Sequence, residues 1–176
     1  MDTLLQRIVA SAPSAPTIQL PGTPVPVAAA LGSGVVALAG YTAEYRIRLV
    51  DASGTVIRQL CRETEPLPLS PHEIAFADNQ KAFESVAHRA RIGRLFAGAD
   101  GRLWVQRNRI LGANGLERAF GPVGAVFDVF EPDGQYLGEV RAPAEARIAA
   151  AHGDLVIGLR VGGLGEVSVV GYRITQ

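Results

Sequence analysis

Apolar and polar residues alternate with a period of two along much of the chain, which is the spacing of half-buried strands and not of helices. The alternation is clearest over residues 44–50, where Tyr45, Ile47 and Leu49 share one face and Arg46 and Arg48 the other. Two longer stretches, 98–107 and 127–140, each read as a strand, an Asp-Gly turn and a second strand. Asp100-Gly101 and Asp133-Gly134 can supply the two positive-φ positions of a tight type I′ hairpin. The residues after each turn, Leu103-Trp104-Val105 and Tyr136-Leu137, are bulky types that suit a pleated, half-buried surface. Together the two stretches predict a four-stranded antiparallel sheet whose middle connection carries a glycine-rich insertion, residues 110–124.

The same pattern, read from the start, predicts two further units. Residues 2–10 suit a short helical turn, and the Ser/Ala/Pro run to Pro16 suits an extended linker. Thr17-Ile18-Gln19-Leu20 reads as a lone strand. A first unit over 24–62 holds strands at 24–31, 35–38, 44–50 and 55–60, with Pro24 and Pro26 restricting its first strand to an edge or innermost place. Ser70-Pro71-His72-Glu73 is a capping box with Pro at the first helical position, which predicts an inserted helix over about 71–90. The second unit runs over 91–141. The third, over 144–176, has strands at 147–151, 155–161 and 167–174, and lacks an outer fourth.

Composition narrows the class without naming a ligand. The chain has 176 residues, 48% apolar and 19% charged, which fits a folded globular protein of one domain. Its 20 Gly and 11 Pro suit many short strands and turns. Lys plus Arg and Asp plus Glu both total 17, so the net charge gives no reason to seek nucleic acid or an anionic membrane. No stretch approaches the ~20 apolar residues of a membrane span. The first ten residues make a poor signal peptide, so the expected product is soluble, with its compartment undetermined.

The aligned segments Gly34-Val35-Val36-Ala37-Leu38, Gly101-Arg102-Leu103-Trp104-Val105 and Asp154-Leu155-Val156-Ile157-Gly158 occupy one place in the three units. Tyr45 to Val50, Phe127 to Phe130 and Val169 to Ile174 occupy another. A four-strand repeat of this length is the signature of a propeller blade. At these residues the chain resembles the six-bladed β-propeller proteins of bacteria, relatives of the NHL and TolB-like repeats, over about residues 17–176. The resemblance implies an all-β fold of three four-stranded blades, the third without its outer strand, similar to the C-terminal half of such a propeller. Two arrangements are then open. Two copies could join head to tail into a six-bladed ring, each lending residues 17–20 to the other's third unit, or the chain could be an open fragment of a longer propeller.

Chemistry-bearing motifs are few. Gly162-Gly163-Leu164-Gly165 precedes a strand and not a helix, so it reads as a hairpin turn and not a dinucleotide site. His72, His88 and His152 lack metal spacing and read as solvated or structural. Asp51, Asp100 and Asp133 read as turn residues before calcium ligands. Cys61 is the only cysteine and reads as a small, partly buried residue. Trp104 reads as core packing between blades. Arg102, Arg107, Arg109 and Arg118 could form a local basic surface, most simply a solvated face. No catalytic, cofactor or metal residue is assigned and no cofactor is expected. The expected function is a non-catalytic binding or scaffolding module for a protein or small-molecule ligand. The alternative is a propeller hydrolase, lactonase-like or lyase-like, with a metal in its central channel; the alanine-rich inner strands at 27–30 and 148–151 offer that alternative almost no ligands.

Overall fold

The computed structural model describes residues 27–40, 42–68, 88–108, 124–143, 146–162 and 164–175. Strands β1 (Val27–Ala30), β2 (Val36–Ala39), β3 (Tyr45–Val50) and β4 (Val56–Arg62) form a first sheet in the order β1-β2-β3-β4. Strands β5 (Leu67–Pro68) and β6 (His88–Arg89) pair as a separate short ladder. The second sheet holds β7 (Ile92–Ala97), β8 (Leu103–Arg107), β9 (Val126–Phe130) and β10 (Tyr136–Arg141), in the order β10-β9-β8-β7. Leu103 and Tyr136 therefore share a sheet, as the hairpin pattern requires. The third is β11 (Ala146–His152), β12 (Leu155–Val161) and β13 (Val167–Arg173), in the order β11-β12-β13. The fold is all-β: sheets of four, four and three strands, antiparallel throughout and none closed on itself.

The only helical turn among the described residues is a 3-10 turn, Gly32–Gly34, between β1 and β2. Most of the helix expected over 71–90 lies outside the described residues, as do the segments at 1–16 and 17–20 and nearly all of the insertion at 110–124. The described end of that helix is overturned. His88 and Arg89 are extended and pair with Pro68 and Leu67. Ladder bonds there satisfy the backbone at the base of the excursion, where a last helical turn would leave carbonyls without partners.

Strand alternation decides how the sheets stack. On β8, Leu103 and Val105 face the first sheet and Trp104 faces the third, because successive side chains point to opposite faces. On β9, Phe130 faces the first sheet, while Phe127 and Val129 face the third. The middle sheet is thus covered on both sides, which accounts for strands as continuously apolar as Leu103-Trp104-Val105. The first core gathers Ala29, Ala37, Ala39, Ile47, Leu49 and Leu60 against Ile92, Leu95, Leu103, Val105 and Phe130. In the second, Trp104 stacks on Phe96 with centroids 5.6 Å apart and meets Phe127 edge-on at 5.9 Å, with Ile148, Ala151 and Val156 opposite. Trp104 is only 1% exposed, so it is core and offers no ring face to a ligand. Of strands in different sheets, β1 runs most closely alongside β7. Alanine on β1 permits that approach, whereas long side chains, Arg58 and Arg62, stand on the outer strand β4.

The Asp-Gly hairpins differ from the expected type. Gly101 N–H donates to the Gly98 carbonyl at 2.9 Å and Gly98 N–H to the Arg102 carbonyl at 2.8 Å, so the turn centres on Ala99-Asp100. Positive φ falls on the glycine that follows, Gly101. The loop is a three-residue one with a left-handed glycine at its end. The same pairing closes Asp51 to Thr55, Glu131 to Gln135 and Gly162 to Glu166. Pro132 takes the first central place in the Glu131–Gln135 turn, where its fixed φ fits. Asp51, Asp100 and Asp133 each accept a backbone N–H two residues on, which is turn chemistry.

Gly134 is constrained twice. Its φ is +90°, and a Cβ there would lie 2.8 Å from Leu60 Cδ2 and 2.9 Å from Arg58 Cδ. Gly165 has φ +85° with nothing within 4 Å. Gly165→Ala should therefore cost about 1 kcal/mol for the left-handed backbone alone. Gly134→Ala should cost clearly more, about 2–3 kcal/mol, since Leu60 is buried core. Urea unfolding of the two variants checks the difference.

Candidate functional site

Asp128 sits in the middle of an apolar strand, Val-Phe-Asp-Val-Phe, and is fully buried. Alternation with Phe127 and Val129 turns it toward the first sheet. There it receives Arg62 Nη1 of β4 at 2.5 Å, Arg107 Nη2 of β8 at 3.0 Å and the Tyr136 hydroxyl of β10 at 3.2 Å, all on Oδ1. Arg107 also pairs with Glu139, and the Arg62 guanidinium lies 5.1 Å from the Tyr136 ring centroid. A buried charge without such partners would be too costly to keep. The cluster joins β4 of the first sheet to three strands of the second, with Arg58 donating to the Asp133 carbonyl farther along the same border.

Burial and charge set the state of the surrounding groups. Burial, then the Asp128 charge, pushes the Tyr45 phenol far above its ordinary value. Its hydroxyl lies beside Asp128 without the geometry of a hydrogen bond, and Asp128 Oδ2, Arg107 Nε and Arg91 Nε are likewise buried without partners. These are donors and acceptors of the kind an ordered water satisfies. Arg91 is pulled down by burial and by the charges of Arg107 and Arg62. For Glu139, burial pushes the carboxyl up, but hydrogen bonding and charge from Arg107, aided by Arg141, leave it below its ordinary 4.5. Chemically the arrangement clamps one carboxylate between two guanidiniums, and this ties two sheets together.

The second and third sheets are tied differently. Arg94 Nη1 of β7 donates to the Ile148 carbonyl of β11 at 2.8 Å, and Ala99 N–H donates to the Ala151 carbonyl at 2.8 Å. Asp100 Oδ2 accepts the Gly153 N–H at 2.9 Å. These contacts cover backbone groups of β11 and of the turn that follows it. Arg94 packs over Phe96 at 4.9 Å, and burial, then the Arg147 charge, lowers its pKa.

The residues singled out from sequence do not converge. His88 and His152 are exposed on different strands, and His72 lies outside the described residues. Cys61 is exposed, not partly buried, with Gln59 Nε2 3.1 Å from its sulfur. Outer-strand parity explains this, because Leu60 and Arg62 take the covered face and Cys61 the other. Of the arginines that could have formed a basic surface or a solvated face, the two described ones are part-buried and ion-paired at opposite ends of β8. Arg102, at the turn before β8, binds Glu131 at 3.1 Å, whereas Arg107, at the far end of β8, binds Asp128. Arg109 and Arg118 lie outside the described residues. The Asp128 cluster went unread in the sequence, although an acidic residue within Val-Phe-Asp-Val-Phe signals a buried charge in need of a cation. Among the described residues no group of three or more His, Cys, Asp or Glu could hold a metal, and no helix is long and apolar enough to cross a membrane.

Comparison of the chain with protein-family models and with curated proteins finds no match.

Asp128→Ala would leave two guanidiniums facing a buried gap and should cost about 3 kcal/mol in urea unfolding. Tyr45→Phe removes a hydroxyl that has no partner and should cost less than about 1 kcal/mol. A carboxyl held low in the folded chain stabilises above its ordinary pKa, and that contribution is lost as pH falls through the folded value. Wild type should therefore lose more stability between about pH 5 and about pH 3 than Glu139→Gln. Thermal melts across that range test the sign.

Proposed function

We propose that the chain is a non-catalytic binding or scaffolding module, with its sheets arranged as blades of the propeller kind. The observation that carries this reading is the use of polar side chains. Among the described residues the buried polar side chains, Asp128 and Gln106, lie in the middle sheet, and Asp128 is consumed in joining sheets. The first strands of the outer two sheets, β1 and β11, are mostly alanine. The close run of β1 along β7, with bulkier residues on the outer strands, favours a radial arrangement in which small residues stand innermost. Loops at the ends of such a stack are the surfaces left for a partner.

On this reading the ligand is a protein or a small molecule, and a further copy of the chain is one partner that would extend the stack. Balanced charge favours neither nucleic acid nor anionic lipid. Purified protein should carry calcium and zinc at well below one atom per chain by elemental analysis, before and after incubation with each ion and desalting. Stoichiometric retention of either would sink the reading and favour a metal-dependent hydrolase or lyase instead.

A further inference from the structure

We infer that the outer edge of β13 is a docking site for a single extended peptide strand, which adds antiparallel as the fourth strand of the third sheet. The inference rests on the reading of the chain as a binding module and adds to it the partner's form and its place.

Hydrogen-bond parity in the third sheet shows which main-chain groups are free. Gly162 N–H donates to the Glu166 carbonyl, and Ile174 N–H to the Asp154 carbonyl, at the two ends of the β12–β13 ladder. In an antiparallel ladder, pairs that bond each other alternate with pairs whose main-chain groups point away. Ser168, Val170 and Tyr172 therefore bond to β12, whereas Val167, Val169, Gly171 and Arg173 turn their N–H and carbonyl groups outward. Among the described residues no backbone group meets them. Edges of this kind are commonly blunted by charge or a bulge. The other outer strands are blunted so: β4 carries Arg58 and Arg62 and is bulged at Ile57, and β10 is bulged at Leu137. β13 is seven residues long, pairs with β12 without a register shift and carries a charge only at its end, Arg173.

The space beside that edge is one strand wide. Arg94 on the Ile148 carbonyl and Ala99 on the Ala151 carbonyl align the second and third sheets at their first strands. The second sheet has four strands and the third has three, so β10 has no strand opposite it. Gly138 and Val140 pair with Val129 and Phe127 and so share the face of the second sheet that looks toward the third. Val140 is only half-buried, and a Cβ at Gly138 would meet nothing within 4 Å. Toward the first sheet the comparable place is filled, since a Cβ at Gly134 would strike Leu60 of β4 at 2.8 Å. A second copy does not fit the open place, because its β13 would bring its own β10 into the same space. A lone strand fits. Its side chains turned toward β10 lie beside Val140, Val170 and Tyr172 and are therefore apolar. An acidic residue opposite Arg173 makes a cross-strand ion pair, and an aromatic one opposite Gly171 covers the glycine.

The probe is the capped heptapeptide Glu-Val-Phe-Val-Thr-Val-Lys, which meets these requirements. In the full chain, amide exchange followed by NMR should be fast at Val167, Val169, Gly171 and Arg173, and slow at Ser168, Val170 and Tyr172. Peptide at about 1 mM should slow the first group roughly tenfold. Val169→Pro removes an outward N–H and no bond to β12, so it should abolish the peptide's effect while the slow amides stay slow. Outward amides already slow in the free chain would mean that another segment holds the place, and would overturn the inference. No slowing with peptide, or slowing that survives Val169→Pro, would overturn it equally. None of these results touches the metal content on which the binding-module reading is tested, so the two can fail separately.

Discussion

The structure depends on the burial of one sheet from both sides. β8 and β9 carry apolar side chains on both of their faces, and neither face can be left in water. With about 25 cal/mol recovered per Å² of apolar surface removed, a buried Trp104, Phe127, Leu103 and Val105 contribute several kcal/mol between them, and only two flanking sheets can supply the cover. Everything else follows from that demand. The first sheet contributes small alanines and aliphatics, and the third contributes Ile148, Ala151 and Val156.

Within that stack the polar groups have separate tasks. Asp128 is an expensive residue to place between sheets, and its two guanidiniums, contributed by different sheets, offset the cost only when the sheets are in register. Such a group adds little net stability but penalises misalignment. Arg94, Ala99 and Asp100 instead attend to the backbone of β11. These are ways of fixing position, and they leave the outer strands and loops as the surfaces where recognition could vary.

Much of the architecture was legible because it is local. A period-two alternation such as Tyr45 to Val50 identifies its strand without knowledge of its neighbours, and glycines mark where each hairpin ends. The turn geometry was not legible, since Asp100-Gly101 satisfies a two-residue or a three-residue loop and only the cross-strand bonds decide which forms. The Asp128 cluster was hidden for the opposite reason: Arg62 is 66 residues away in sequence, and no local pattern pairs them. The face on which Cys61 falls could be told only once β4 was known to be an outer strand with Leu60 inward. The end of the expected helix failed because the capping box at Ser70 speaks for a helix start and says nothing about where the chain must return to pair.

The two internal joints differ in kind. Between the first and second sheets the joint is a buried carboxylate held by guanidiniums from both sides. Between the second and third it is made of stacked rings, backbone contacts and a single carboxylate, Asp100, on the Gly153 N–H. The two seams are therefore built from different contacts, and conditions that weaken one need not weaken the other equally.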